Sequence, residues 1–197
     1  MPVSHKHKLV FIHVPKNAGT SITKQLDLEN AGHYHWSHEL PRDGYRSLSI
    51  VRNPWDRVVS CYEYARMEES FWHSAIGPSR EGKHLDYDLL KNMSFENCVK
   101  LLAQNSKALR HQGWIPQWWW ICDNDKNLKV DHVIKMESID LDLNILFENL
   151  EIPNIELKKI NPSPINGTYQ SYYNEQTKQI VGQLYKDDID LFDYKFD

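Results

Sequence analysis

The chain has 197 residues, of which 41% are hydrophobic and 25% are charged, and its formal net charge is -4. This composition is typical of a soluble globular protein, and the length predicts a single domain over 1–197. The small negative charge excludes a general attraction to nucleic acid, and no stretch approaches the roughly 20 apolar residues of a membrane span. Three cysteines without metal-ligand spacing and a polar N-terminus favour a cytoplasmic location.

The charges are unevenly distributed along the chain. Residues 1–66 contain 9 Lys or Arg against 6 Asp or Glu, whereas residues 123–197 contain 8 against 15. The N-terminal third is therefore the better place for an anionic ligand. A solvated acidic tail explains the second balance equally well.

Short β-rich runs alternate with segments of helical pattern. The run LVFIHV lacks alternating polarity, which is typical of a strand buried on both faces. Strands are predicted at 9–14, 47–51 and 130–136. Helices are predicted at 19–30, from Pro54 onward, at 95–104 after a Ser94 cap, at 141–150 after an Asp140 cap, and from Asn174 to about Tyr185.

Strands that alternate with helices predict an α/β fold: a three-layer, P-loop-like arrangement with a central parallel sheet flanked by helices. In such sheets ligands bind at the carboxyl ends of the strands. Residues 67–93 are rich in Gly, Ser, His and Lys and predict an excursion that can close as a lid.

The segment HVPKNAGTS, which follows the first predicted strand, has the parts of a phosphate-binding loop. A strand that turns into a helix directs backbone N–H groups at one point, where the helix dipole also favours an anion. Lys16 adds a full charge, and Thr20 and Ser21 add hydroxyl donors. Lys16 precedes Gly19, whereas a Walker A loop places its lysine after the second glycine. The alternative is a tight strand–helix turn with a solvated lysine.

A second segment, IVRNPWDRVVSCY, places Arg52 at the end of a predicted strand and Ser60 two helical turns later. An arginine there can bind a phosphate through two parallel hydrogen bonds, and Ser60 can donate another. The alternative is that Arg52 and Arg57 pair with Asp56 or Glu63.

Together the two segments resemble the PAPS-dependent sulfotransferases, and they are most similar to the carbohydrate branch that includes heparan and chondroitin sulfotransferases. PAPS is 3′-phosphoadenosine 5′-phosphosulfate, the sulfuryl donor that the resemblance implies, without a required metal. It implies that Lys16 contacts the bridging oxygen and that Arg52 and Ser60 hold the 3′-phosphate. The residues implied to cradle the 5′-phosphate are Asn17, Ala18, Gly19, Thr20 and Ser21.

The resemblance extends downstream with less specific motifs. RHQGWIPQWWWICD is similar to a family segment with a Pro-Gln pair before a strand, and VDHVIKMESID resembles the strand–Glu–helix unit. Most of the chain is covered, but only the two phosphate segments are specific.

Sulfuryl transfer to a hydroxyl requires a base, and the segment GHYHWSHEL supplies three candidates: His33, His35 and His38. We interpret the alternating histidines as a strand edge that runs into a short helix capped by Ser37. His35 then lies beside the sulfuryl group and is preferred to His33, with His38 last. A histidine-rich metal site is the alternative.

Four of the seven tryptophans fall within residues 114–120, and exposed aromatic faces stack on sugar rings. Core packing is the alternative for most of these rings. Candidate acceptor-binding residues are Trp114, Gln117, Arg80 and Lys83.

The sequence thus predicts transfer of a sulfuryl group from PAPS to a hydroxyl acceptor, with a carbohydrate as the candidate. One alternative is an atypical P-loop enzyme of nucleotide binding or phosphoryl transfer, which requires ATP and magnesium. The other is a sulfotransferase-like module that binds without turnover.

Overall fold

The computed structural model describes residues 1–30, 32–37, 43–68, 83–152, 165 and 167–197. They form two compact units, which are described separately below. Unit 1 comprises Met1–Asn53 and Ile115–Ile160, and unit 2 comprises Pro54–Trp114 and Asn161–Asp197. Most of the predicted excursion and the candidates His38 and Arg80 lie outside the described residues.

Unit 1 contains a four-stranded sheet in the order β1-β2-β3-β4. The strands are β1 (Val3–Ser4), β2 (Leu9–Ile12), β3 (Arg46–Val51) and β4 (His132–Lys135). Strands β2, β3 and β4 are parallel, and β1 pairs antiparallel with β2. The α/β fold class with a central sheet flanked by helices is confirmed, although the short edge strand makes the sheet mixed.

The described helices also follow the predicted order, with additional short ones. They are α1 (Gly19–Gln25), α2 (Pro54–Ala65), α3 (Tyr87–Leu90), α4 (Phe95–Gln104), α5 (Gln117–Ile121), α6 (Ile139–Asn149), α7 (Glu175–Leu184) and α8 (Lys186–Phe192). Short 3-10 turns lie at Ser106–Ala108, Gln112–Trp114, Met136–Ser138 and Tyr169–Tyr172. No helix in these ranges is long and apolar enough to cross a bilayer.

The core of unit 1 explains why the first strand lacks alternation. All four side chains of β2 are buried, since apolar residues cover it on each side. Side chains from α1 and α6 pack with the strands in one cluster, which includes Leu9, Phe11, Ile22, Leu48, Ile50, Ile134, Leu143 and Phe147.

The predicted Ser94 cap is confirmed and the predicted Asp140 cap is wrong. The Ser94 side chain accepts from the backbone of Asn97 at the start of α4, and Asn174 forms a capping box at α7. Asp140 does not cap α6. The helix begins at Ile139, two residues before the predicted start, so Asp140 lies in its first turn, where a carboxylate interacts favourably with the helix dipole.

Unit 2 packs α2, α4 and α7 around a second core and buries a carboxylate. Asp86 is 2% exposed and accepts hydrogen bonds from the backbone N–H of Arg110 at 2.7 Å and of His111 at 3.1 Å. The Trp114 indole also donates to Asp86, at 3.0 Å. Three donors thus compensate the buried charge.

Candidate active site

The carboxyl ends of the three parallel strands bring the predicted phosphate segments to one edge of the sheet. β2 ends at Ile12, before the Lys16 loop, and β3 ends at Val51, directly before Arg52. The Arg52 Nη1 atom donates to the Lys16 carbonyl oxygen at 3.3 Å, across 36 residues of sequence. Both side chains are half-buried. The two predicted cationic residues therefore lie next to each other.

The backbone of the Lys16 loop is unusual. Lys16 has φ of 71° and Ala18 has φ of 54°, both in the left-handed region, where residues with a Cβ are disfavoured. Alternation of left-handed and ordinary residues turns successive N–H groups toward one concave point, a geometry that binds anions. Strain of this kind is concentrated at functional sites. The half-buried Thr20 and Ser21 follow in the first turn of α1.

Gly19 is required by a close approach rather than by its backbone angle. A Cβ at this position would lie 1.6 Å from the His13 Nε2 atom, so the imidazole occupies the space of a side chain. The first residue of α1 is therefore packed directly on the His13 ring, and any larger residue would displace the loop.

His13 is a packed core residue that lies one residue beyond β2. It is 4% exposed and stacks on Phe11 with ring centroids 5.5 Å apart. Burial, and next the charges of His33 and Lys16, lower the pKa of His13 well below 6.5. His13 is consequently neutral and adds no positive charge to the loop. Its ring has both the base candidate His33 and the cation Lys16 as electrostatic neighbours.

Asn17 anchors the loop from inside. It is fully buried, and its Nδ2 donates to the Ile50 carbonyl at 2.8 Å and to Gln117 Oε1 at 2.7 Å. Because this amide is directed into the interior, any contact of Asn17 with a phosphate must come from its backbone N–H.

Gln117 joins the two phosphate segments, and its predicted role in binding the acceptor stays a prediction. The residue is fully buried. Besides the bond from Asn17, its Oε1 accepts from the Arg52 N–H at 2.9 Å, and its Nε2 donates to the Arg52 carbonyl at 2.8 Å. Both the oxygen and the nitrogen of the amide are thus engaged in holding the two segments.

Glu137 is a supporting residue without an assigned role in the sequence analysis. It follows β4, and its Oε1 accepts from the Asn53 backbone N–H at 2.7 Å, which fixes the turn after Arg52. The sequence contained Glu137 in its strand–Glu–helix unit. Only the parallel pairing of β3 and β4 shows that this carboxylate bonds to the backbone after Arg52.

The remaining candidates belong to unit 2 and are described there. Ser60 is buried in α2, and its 3′-phosphate role stays a prediction. Trp114 is 6% exposed in the apolar core, which favours the core-packing alternative, and its acceptor role stays a prediction. The Lys83 ammonium lies 5.4 Å from the Tyr87 ring centroid, and its acceptor role also stays a prediction.

His33 and His35 differ in which ring nitrogen carries the proton. His33 Nδ1 is 2.9 Å from the His13 carbonyl, which can only accept, so Nδ1 carries the proton and Nε2 the lone pair of the neutral ring. The His35 Nδ1 atom lies 3.2 Å from the Ser37 backbone nitrogen, which can only donate, and 2.7 Å from the Ser37 hydroxyl, which can donate as well, so we assign the proton of the neutral ring to Nε2. This local contact also explains why residues 33–37 form a loop instead of the predicted strand edge.

The tryptophan cluster forms a short helix, and the next strand along the chain is β4. Pro116, with φ of -52°, precedes α5 and favours its start. Trp120 is 2% exposed, whereas Trp119 is 40% exposed, with ring centroids 5.1 Å apart. Trp120 is thus buried, whereas its neighbour Trp119 is open to solvent.

Comparison with known families agrees with this geometry. The sequence model of the sulfotransferase family matches residues 1–195, which include both units. Comparisons with curated proteins and with solved structures found no match. The chain belongs to the sulfotransferase family, a class of transferases that move a sulfuryl group from a donor to a hydroxyl acceptor.

Proposed function

We propose that this protein is a PAPS-dependent sulfotransferase that uses the Lys16–Arg52 corner to hold the donor and His33 as the base. The observation that carries the proposal is the direct contact of the two phosphate segments, in which Arg52 donates to the Lys16 carbonyl at 3.3 Å. The buried Gln117 amide bonds to both segments and fixes their separation.

The chemistry of these residues fits a bisphosphate donor. The strained loop at Lys16 and Ala18 offers converging N–H groups for the 5′-phosphosulfate, with the hydroxyls of Thr20 and Ser21 beside it. Arg52 offers a planar guanidinium for the 3′-phosphate, to which Ser60 is a further candidate donor. The neutral His13 leaves the positive charge on Lys16 and Arg52.

Transfer requires that the acceptor oxygen attack sulfur while the bond from sulfur to the bridging oxygen breaks. The electron pair of that bond passes to the 5′-phosphate, where the Lys16 ammonium stabilises the growing negative charge. The acceptor proton passes to a side chain that holds a lone pair. PAPS supplies the activated sulfuryl group, and the protein supplies position, positive charge and the base.

His33 is a better base than His35 on the observed hydrogen bonds. Its Nδ1–H is fixed on the His13 carbonyl, so Nε2 is the proton acceptor of the ring. Its ring centroid is 4.1 Å from that of His13, the same ring on which the phosphate loop packs. His35 carries its neutral-state proton on Nε2 and is suited to donate instead.

Transfer of radiolabelled sulfate from PAPS to a panel of alcohols and glycosides, with magnesium chelated, tests the proposal. We expect label transfer by the wild type without magnesium. ATP hydrolysis or phosphoryl transfer that requires magnesium would instead support the phosphoryl-transfer alternative. Binding of the desulfated nucleotide without transfer to any acceptor would support the non-catalytic module.

A matched pair of variants tests the base. We expect His33→Gln to reduce turnover by about 10²- to 10⁴-fold with unchanged binding of the desulfated nucleotide, since only proton transfer is lost. His35→Gln should retain more turnover than His33→Gln. Equal turnover of His33→Gln and wild type would contradict the assignment.

A further inference from the structure

A group of aromatic rings, two half-buried and one exposed, lies beside the proposed base in unit 1. We call it the aromatic platform; it consists of His35, Trp36 and Trp119. The centroids of His35 and Trp119 are 4.5 Å apart, and those of His35 and Trp36 are 5.5 Å apart. Trp119 is 40% exposed, whereas the neighbouring Trp120 is buried. The platform therefore presents the Trp119 indole to solvent, with the His35 and Trp120 rings packed next to it.

The platform is connected to the proposed base through Trp120. The Trp120 ring lies 5.1 Å from Trp119 and 6.1 Å from His33, measured between centroids. The backbone N–H of Trp36 donates to the Trp120 carbonyl at 3.0 Å, which ties the histidine segment to α5. The exposed Trp119 indole and the proposed base His33 are thus both neighbours of the buried Trp120 ring.

His35 adds a polar group to this aromatic surface. Because its Nδ1 accepts from the Ser37 N–H, the neutral ring carries a hydrogen-bond donor at Nε2. An apolar ring face with an adjacent N–H donor suits a ligand that has a flat or weakly polar ring face and oxygen substituents at its edge.

We propose that the aromatic platform is the acceptor subsite, in which Trp119 stacks on the ring of a ring-bearing alcohol and His35 donates to one of its oxygens. This inference rests on the proposed function, since it places the acceptor next to His33. A pyranoside and an aryl alcohol share this chemistry, and the platform accounts for binding of either one.

NMR saturation-transfer titrations of the full chain, with the desulfated nucleotide bound, test the platform with defined probes. The probes are methyl glucopyranoside, benzyl alcohol and the acyclic glycerol. We expect at least one ring probe to show saturation transfer with the wild type. Glycerol, which has no ring to stack, should show none. Binding of the pyranoside alone would identify a sugar acceptor, and binding of benzyl alcohol alone an aryl alcohol.

Two changes in the same helix provide the matched comparison. Trp119→Leu should weaken binding of the ring probe by about three- to tenfold, and Trp119→Phe should restore most of it. Trp118→Leu is the control, because Trp118 is half-buried beside Lys126, outside the platform, and should leave ring binding unchanged. Wild-type affinity in Trp119→Leu would overturn the proposal.

Nucleotide binding in the same samples separates this inference from the proposed function. Normal nucleotide binding with no ring probe bound to the wild type would overturn the platform and leave the donor site standing. Ring binding that depends on Trp119 without any nucleotide affinity would overturn the proposed function, while the ligand class of the platform would stand.

Discussion

Each unit of the molecule contains a buried polar network, and the two networks differ in what they support. In unit 1 the Gln117 amide bonds to Asn17 and Arg52, both of which belong to segments that carry half-buried cationic groups. In unit 2 the Asp86 carboxylate bonds to two backbone N–H groups and to the buried Trp114 indole. The first network positions the groups that we propose to bind the donor, and the second satisfies groups of the core.

The difference predicts how the two networks respond to substitution. Buried hydrogen bonds that hold only core groups contribute to the free energy of unfolding. Buried hydrogen bonds that hold ligand-binding groups contribute also to affinity, because they fix the geometry of those groups. Variants of unit 1 should therefore change binding or turnover, and variants around Asp86 should change stability.

The largest effect is expected at Lys16. Lys16→Ala should reduce turnover by about 10²- to 10³-fold, because the charge that stabilises the leaving phosphate is removed. Single-turnover rates with saturating donor provide the measurement. Lys24→Ala, at an exposed position of α1, is the matched control and should turn over normally. Unchanged turnover in Lys16→Ala would remove the leaving-group role.

Asp86 should show the opposite behaviour. We expect Asp86→Ala to lower the free energy of unfolding by about 3 kcal/mol, since the buried Trp114 indole and two part-buried backbone N–H groups lose their acceptor. Urea denaturation measures this change. Asp88→Ala is the control, because the Asp88 side chain is 86% exposed and pairs only at the surface with Lys91. A loss of nucleotide affinity in folded Asp86→Ala would break the contrast between the units.

Gln117 should affect both properties. Gln117→Met keeps the size of the side chain but leaves Asn17 and Arg52 without its hydrogen bonds. We expect nucleotide affinity to fall by about 1–3 kcal/mol, with a comparable loss of stability. Calorimetry and urea denaturation of the same sample provide both values. Gln183→Met, at an exposed position of α7, should change neither. Affinity that stays normal while stability falls would place Gln117 with the core network.

The smallest effect concerns pH. Burial holds the pKa of His13 below 6.5, so the unfolded chain binds a proton near pH 6 that the folded chain does not. Stability should therefore fall as the pH decreases below 6.5, by at most about 1.4 kcal/mol per unit from this residue. Urea denaturation across this range should show a smaller slope in His13→Asn and an unchanged one in His5→Gln. Equal slopes in wild type and His13→Asn would contradict a neutral buried His13.

Local patterns in the sequence were sufficient for the three parallel strands, for five of the helices and for the two cationic residues. The apolar run of β2, the Ser94 cap and the place of Arg52 after a strand each depend on a few neighbouring residues. The role of Gln117 could not be predicted, because its partners lie 100 and 65 residues away.

The same limit applies to the aromatic and histidine residues. The three consecutive tryptophans of α5 differ in exposure, and only the packing shows that Trp119 is the exposed one. Likewise, the choice between His33 and His35 depends on the His13 carbonyl and the Ser37 N–H, which fix opposite tautomers. Sequence spacing contains no information about these two contacts.

The central claim is that Arg52, next to Lys16, holds a phosphate of the donor. Calorimetric titration with adenosine 3′,5′-bisphosphate, with ATP and magnesium in parallel, tests it most directly. We expect binding that is indifferent to magnesium and that weakens by about 2–4 kcal/mol in Arg52→Ala. Arg46→Ala, at the exposed opposite end of β3, should bind normally. Normal binding by Arg52→Ala, or binding of ATP with magnesium instead of the bisphosphate, would contradict the claim.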